Sequence, residues 1–411
     1  IALFWANAPF GESYNHFWET PLSIRLGDLG ITLSLREWIN EGLMSIFFFI
    51  VGLEIKREVL VGELSSVKKA LLPVSAAIGG IVVPAFIYFL INLGSETTAG
   101  WAIPMATDIA FALGVLYVLG QRVPAGLRVF LSAFAIADDI GAVLVIALFY
   151  TKGISIQYIF VSLLIIVVLA VASYLWIRNT LFYAVLAAIL WFAIMGSGLH
   201  STVAGIIIAM FIPARGRYNT DKFVEKVGYY MSKIKCPTEG CGHSILLNQE
   251  HLSAVQSIEV ACHDVETPLQ RLEHALHPWV AYGVIPLFAL ANAGLSLKGT
   301  GFSYVFNSPV TLGIILGLLV GKPLGITLFT FISVKTGLAL LPYRVKWVHI
   351  LGAGFLGGIG FTMSLFITAL SFSETSMINQ AKLGILMASV IAGVTGLLIL
   401  YISSRRAARA G

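Results

Sequence analysis

The sequence carries very little charge. Charged residues make up 11% of its 411 residues and the mean hydropathy is +0.89, whereas an average soluble domain is about 25% charged. These values exclude an ordinary soluble globular protein. The sequence also lacks the alternating segments of about 10 residues that a transmembrane β-barrel uses. Its apolar residues instead form continuous runs long enough for membrane helices. We therefore predict an all-α polytopic membrane protein.

Cysteine is scarce as well, with three residues that all lie in segment 214–270. They occur in two groups, and neither has the spacing of a standard pair of zinc-ligand positions. Reduced free thiols are the favoured interpretation, and a zinc site is the alternative. The segment is interpreted as a cytoplasmic insert, and the pattern over 245–265 predicts an amphipathic helix that caps the membrane domain. The two groups are Cys236, Cys241 and His243, and Cys262 and His263.

The apolar runs predict about twelve membrane-spanning helices. The stretch 1–9 is too short to cross a bilayer, so we interpret it as the end of a first span and expect residues upstream of it. Segment 201–213 is also short, and it is either a separate span or a continuation of its neighbour. The other predicted spans are 35–53, 70–93, 99–120, 126–150, 154–177, 180–199, 278–297, 309–334, 348–371 and 377–402.

Basic residues favour the separate span at 201–213 and give the orientation. With twelve spans, twenty of the 26 Lys and Arg residues lie on one face, including Arg178 and Arg215. The positive-inside rule makes that face cytoplasmic, and both termini lie on it. The net charge of +5 therefore reports membrane topology, and no nucleic-acid partner is implied. The division is 1–213 and 271–411 as membrane parts, separated by the insert at 214–270.

Segment 21–38 alternates apolar and polar residues around Gly27 and Gly30. This pattern predicts a β-hairpin on the outer face, and a plain ordered loop is the alternative. A two-stranded ribbon leaves open edges that favour pairing with another strand. A second copy of the chain is therefore a plausible partner.

Four ionisable residues lie deep in predicted spans: Asp108, Asp138, Asp139 and Lys322. Placing a charged side chain within a bilayer costs free energy, and residues of this kind usually have a function. The adjacent acids Asp138 and Asp139 repel each other and lose hydration, so protons compete with a cation for their oxygens. Carboxylate oxygens are also ligands for small hard cations. The pair therefore predicts one site that binds either a cation or protons.

Asp108 lies with Thr107 in a span that proline and glycine interrupt. A carboxylate at a helix break stabilises helix ends, so capping is favoured over direct ion binding for Asp108. A second glycine-rich interrupted span is 348–371. The two are the middle members of the span triplets 70–150 and 309–402, which predicts inverted repeats with two broken, crossing helices and a site at the midplane. Packing of glycine-rich helices without transport would explain the glycines but not the acids.

At these residues the sequence resembles the bacterial NhaA-type sodium/proton antiporters, which are themselves examples of inverted-repeat transporters. The resemblance covers nearly the whole chain, and its motifs together are highly specific. One departure is the long insert, since better-known family members have a short loop there. The motifs are FFFIVGLEIKRE (47–58), WAIPMATDIAFALG (101–114), AIADDIGA (135–142), SGLHSTVAG (197–205), RLEHALHPWVAY (271–282), LFALANAG (287–294), GKPLG (321–325) and GGIGFTMS (357–364).

The resemblance implies electrogenic, pH-regulated exchange of cytoplasmic Na+ or Li+ for external protons across the bacterial inner membrane. It implies no cofactor, no enzymatic reaction, and a homodimer formed through 21–38. It assigns ion and proton binding to Asp138 and Asp139, the helix crossing to Thr107 and Asp108, and pairing with Asp138 to Lys322.

The resemblance also implies a set of pH-sensing residues. His200 belongs to it, although a hydrogen-bonded histidine at a helix end is an equal alternative for that residue. The cytoplasmic members of the set are Glu54, Arg57, Glu58, Arg271, Glu273, His274 and His277.

Three other functions fit parts of the pattern. A cation channel also uses acids and broken helices, but it has no need of a site where protons exclude the cation. An intramembrane aspartyl protease needs two facing acids on different spans, which Asp108 with Asp138 or Asp139 could supply. A retinal pump would use Lys322 as its Schiff base, but it needs neither twelve spans nor broken helices.

Overall fold

Helices dominate the computed structural model, which describes residues 1–26, 29–151, 153–216, 219–234, 249–295 and 308–410. Short 3-10 segments run over Glu96–Met105 and Gly120–Arg122, and π-helical segments over Trp38–Leu43, Val280–Val284 and Gly317–Gly321. The α-helices are α1 (Ala2–Asn7), α2 (Glu12–Glu19), α3 (Leu35–Glu37), α4 (Met44–Val61), α5 (Val67–Ile91), α6 (Ile109–Val118), α7 (Ala125–Phe149), α8 (Ile156–Tyr174), α9 (Thr180–Ser197), α10 (Thr202–Phe211), α11 (Thr220–Lys233), α12 (Gln249–Val265), α13 (Pro268–Trp279), α14 (Ile285–Asn292), α15 (Pro309–Leu316), α16 (Lys322–Lys335), α17 (Trp347–Gly357), α18 (Phe361–Ser371) and α19 (Thr375–Ala410).

Within the described residues, seven helical segments are long and apolar enough to cross a membrane. Two bent pairs of helices raise the number to nine if each pair is one span. The prediction of a helical membrane protein with interrupted spans is therefore confirmed, whereas the count of twelve remains a prediction. The seven segments are Val67–Ile91, Ala125–Phe149, Ile156–Tyr174, Thr180–Ser197, Pro268–Asn292, Pro309–Lys335 and Thr375–Arg405.

The predicted hairpin is present as strands β1 (Pro21–Leu26) and β2 (Leu29–Ser34), which pair antiparallel. The hydroxyls of Ser23 and Thr32 lie 2.8 Å apart across the ribbon. Ser34 then caps α3, because its side chain accepts a hydrogen bond from the backbone N–H of Glu37. The strands thus lead directly into the helical chain, and the side of the molecule where they lie is called the hairpin side below.

Segment 201–213 contains a separate helix, α10, rather than a continuation of α9. Gly198 ends α9 with φ of 85°, a left-handed conformation that glycine adopts without strain. Lys56 of α4 holds the other end of α10, since its Nζ donates to the carbonyls of Met210 and Ile212, each at 2.6 Å. Helix α4 itself runs past the predicted span to Val61.

The insert contributes two helices that pack against each other, α11 and α12. Helix α12 matches the amphipathic helix predicted from the sequence, whereas α11 was not predicted. Cys236, Cys241 and His243 lie outside the described residues, and Cys262 is an exposed free thiol. In the part of the chain that the structure describes, no three His, Cys, Asp or Glu side chains are grouped as metal ligands.

Candidate ion-binding site

Two bent helix pairs cross at the centre of the candidate site. The 3-10 segment Glu96–Met105 meets α6 at 41°, and α17 meets α18 at 46°. The two breaks touch through their backbones, because Asp108 N donates to the carbonyl of Ile359 at 2.7 Å. The hydroxyl of Thr107 also donates to the carbonyl of Gly357 at 2.8 Å. Four helix ends with unsatisfied backbone groups therefore meet in one small region.

Asp108 caps two of these helix ends. One carboxylate oxygen accepts a hydrogen bond from the backbone N–H of Phe111 in α6, at 3.2 Å. The other accepts from the backbone N–H of Thr362 in α18, at 3.0 Å, and from its hydroxyl. A negative charge at the N-termini of two helices is favourable because both helix dipoles point their positive ends at it. The geometry of Asp108 is that of a double cap.

Asp138 forms a buried ion pair with Lys322. Nζ of Lys322 lies 2.8 and 3.0 Å from the two carboxylate oxygens, and both side chains are fully buried. Thr107 joins them, since its backbone N–H donates to Asp138 at 3.0 Å and its hydroxyl accepts from Lys322 at 2.9 Å. Asp138, Lys322 and Thr107 therefore form a closed polar triad at the helix crossing.

Glycines allow Lys322 to reach this position. The π-helical segment Gly317–Gly321 immediately precedes it. Helices α5 and α16 approach so closely that a Cβ on Gly79 would lie 2.2 Å from the carbonyl oxygen of Gly325, a contact that glycine alone permits. The ring of Phe134 lies 5.7 Å from Nζ of Lys322 and gives it a cation–π contact.

Asp139 is the exception among these buried charged groups. Its side chain is 1% exposed, yet no described residue donates a hydrogen bond to its Oδ1. A buried carboxylate oxygen without a donor is unfavourable. A proton or a cation bound there would remove that penalty. Asp139 also interacts electrostatically with Asp138, Glu54 and Asp108 and with the opposite charge of Lys322, so that acids outnumber the one cation around it, and this favours a small cation.

A second charged cluster lies where α4 and α13 meet, on the side opposite the hairpin. Arg57 of α4 and Glu273 of α13 form an ion pair. Glu54 is the first residue beyond the predicted span 35–53 and is partly buried. Its pKa is raised to about 7, chiefly by burial and then by the charge of Glu273, while Arg57 lowers it and Glu58 raises it. Glu54 thus titrates near neutral pH.

The structure does not bring all predicted pH-sensing residues together. His274 and His277 are exposed on α13. His200 lies near the hairpin end of α4, with Nε2 3.3 Å from a carboxylate oxygen of Glu41 and Nδ1 3.0 Å from the hydroxyl of Thr202. Glu41 was not among the predicted residues, although an acid within the predicted span 35–53 is a sufficient signal of a functional group.

The chain is similar to known proteins over nearly its whole length. A family model described as Na+/H+ antiporter 1 matches residues 1–400. Na(+)/H(+) antiporter NhaA 2 of Syntrophotalea carbinolica is 48% identical over 408 residues, which cover 99% of this chain and 93% of the relative. Na(+)/H(+) antiporter NhaA 1 of Saccharophagus degradans is 48% identical over 405 residues, which cover 98% of this chain and 86% of the relative. Na(+)/H(+) antiporter NhaA of Helicobacter pylori is 45% identical over 410 residues, which cover 99% of this chain and 92% of the relative.

Proposed function

The chain belongs to the Na+/H+ antiporter 1 family, and we propose that it exchanges cytoplasmic Na+ or Li+ for external protons with net movement of charge. The observation that carries this proposal is the difference between two neighbouring acids. Asp138 is held by Lys322 and Thr107, whereas Oδ1 of Asp139 has no hydrogen-bond donor among the described residues. Asp139 is therefore the group that is free to accept either a proton or the cation.

The contacts of Asp138 suggest how the two ions exclude each other. Without a cation, the ammonium of Lys322 neutralises Asp138 and a proton neutralises Asp139. A Na+ that binds between the two carboxylates competes with Lys322 for Asp138, and the proton of Asp139 must leave. If Lys322 then releases its own proton, two protons leave for each Na+ that binds. The exchange therefore moves net charge.

The membrane arrangement that belongs to this proposal has twelve spans in a bacterial inner membrane, with both termini and the insert in the cytoplasm. Each bent pair occupies the middle of a span triplet, 70–150 or 309–402, which supports inverted repeats around the site. The antiparallel strands β1 and β2 support a homodimer formed through 21–38, because edge strands can pair with a second copy. Glu54, Arg57 and Glu273 form the pH-responsive part, since Glu54 titrates near pH 7.

Everted membrane vesicles test the proposal with the matched variants Asp139→Asn and Asp221→Asn. Asp221 is exposed in α11 and serves as the control for an Asp→Asn exchange. We expect added Na+ to dissipate a preformed pH gradient in the native and control vesicles, but not in Asp139→Asn, because the variant lacks the titrating oxygen. Unchanged Na+-driven proton movement in Asp139→Asn would overturn the mechanism. Na+ flux without proton movement in the native protein would indicate a channel instead.

A further inference from the structure

A cavity of about 630 Å³ lies where the insert meets the ends of the membrane helices. Two of its lining residues belong to the connection between α8 and α9, two follow α10, two come from α12 and one from α13. Because the residues after α10 and those of α12 belong to the insert, the cavity joins the insert to two parts of the membrane domain, the α8–α9 connection and α13. The lining side chains are Trp176, Arg178, Arg215, His263, Asp264 and Arg271, and Gly216 follows Arg215.

The lining carries an excess of positive charge. Three guanidinium groups face the cavity together with one carboxylate, that of Asp264. Arg178 also holds the end of α12, since its Nη2 donates to the carbonyl of Glu266 at 3.0 Å. Nη1 of Arg271 lies 2.9 Å from Nδ1 of His263. A guanidinium has five N–H donors, so these contacts use only part of the capacity of Arg178 and Arg271.

Trp176 occupies a backbone position that favours glycine. It follows the end of α8 with φ of 59°, a left-handed conformation that is strained for a bulky residue. The turn is closed by hydrogen bonds from Trp176 N to Ser173 and from Ile177 N to Ala172. Glycine would form this turn without strain, so we expect the contacts of the indole to offset this conformational cost. Its ring lies under the guanidinium of Arg215, 5.6 Å from the ring centre, and orients that side chain at the cavity.

We propose that this cavity binds a phosphate-bearing anion through Arg215, Arg271 and Arg178. The planar fork of arginine matches phosphate oxygens, and hydrogen bonds between two charged groups are stronger than neutral ones. The phosphate belongs either to a soluble compound or to the headgroup of an anionic lipid, because basic pockets at helix ends on the cytoplasmic side can bind such headgroups. Bound anion links Arg215, near the start of the insert, and Arg271, just after its end, to Arg178 in the connection between α8 and α9.

Thermal unfolding of the purified full chain tests the site with two probes. One is potassium pyrophosphate in detergent, with K+ held constant by KCl. The other is phosphatidylglycerol in phosphatidylcholine nanodiscs. We expect at least one probe to raise the unfolding midpoint of the native protein, and half-saturation to require about tenfold more probe in Arg215→Gln and Arg271→Gln. The control is Arg344→Gln, because Arg344, like Arg215, lies over an aromatic ring, that of Tyr343, and it does not line the cavity.

The two probes distinguish the sources of the phosphate. Stabilisation by pyrophosphate indicates a soluble ligand, stabilisation by phosphatidylglycerol alone indicates a lipid, and either supports the site when Arg344→Gln behaves like the native protein. Absence of stabilisation by both probes would overturn the proposal, as would equal stabilisation of all four proteins. If Arg271→Gln does not fold, Arg215→Gln decides, because Arg215 is exposed. Binding is measured without Na+, so the result is independent of transport.

Discussion

Asp138 and Asp139 are neighbours on α7 but have different surroundings. Asp138 receives hydrogen bonds from Lys322 and from the backbone of Thr107, whereas Oδ1 of Asp139 receives none among the residues described. Both are buried to the same degree. Because successive residues point about 100° apart around a helix, adjacency in sequence does not give them the same partners. Without a cation, Asp138 is therefore neutralised by its contacts within the fold, whereas Asp139 is left available for a proton or a cation.

The largest expected effect is on stability, which should distinguish Asp138 from Asp139. We expect Asp138→Asn to lower the free energy of unfolding by about 3–5 kcal/mol, because it leaves the charge of Lys322 buried and unpaired. Asp139→Asn should leave stability nearly unchanged, since a proton already neutralises Asp139 without Na+ and the amide replaces a neutral group of the same size. Thermal unfolding in detergent without Na+ measures both variants. Equal losses of stability in the two variants would contradict the distinction.

The net charge moved in each transport cycle tests the role of the ion pair between Lys322 and Asp138. In Lys322→Gln we expect Na+-driven proton movement to continue without net current, because the proton released by Lys322 is lost from each cycle. Currents from proteoliposomes on a solid-supported membrane measure this. The matched control is Lys382→Gln, because Lys382 is also buried but its Nζ donates to the carbonyl of Gly294. Full current in Lys322→Gln would limit Lys322 to a structural role.

The buried acids can be predicted from the sequence, but their partners cannot. The acids and Lys322 stand out because charge is rare in apolar spans. From the residues alone, however, Lys322 could pair with Asp108, Asp138 or Asp139, and the resemblance to a family was needed to choose Asp138. The actual pairing depends on the crossing of two broken helices and on the close approach of α5 and α16, which are contacts between residues far apart in the chain.

Other elements differ in the strength of their local pattern. The hairpin was predicted from strict alternation over 21–38, and the register of β1 and β2 is set by that local pattern. Helix α11 was missed although Phe223, Val227 and Tyr230 recur at helical spacing. Helix α11 packs against α12 of the same insert, and such a pair forms through tertiary contact, without the stronger sequence signal of a membrane span.

Asp108 provides an intermediate case between a framework acid and an ion ligand. Asp108→Ala removes the caps of α6 and α18 and should lower stability by about 1–4 kcal/mol, since one cap contributes about 0.5–2 kcal/mol. Asp108→Asn keeps one acceptor oxygen and should lose less. If Asp108 only caps, the Na+ concentration for half-maximal exchange in Asp108→Asn stays near the native value. A large increase in that concentration, without loss of stability, would identify Asp108 as an ion ligand.

The smallest expected effect concerns Glu54, whose charge interacts with Asp139. Its pKa of about 7 means that Glu54 is mostly protonated at pH 6 and ionised at pH 8. Ionised Glu54 attracts Na+ towards the site, whereas protonated Glu54 does not. Glu54→Gln should therefore equal the native protein at pH 6 and need about three- to tenfold more Na+ for half-maximal exchange at pH 8. Glu266→Gln, at an exposed glutamate of the insert, is the control. The same change at both pH values would show that the ionisation of Glu54 is not the cause.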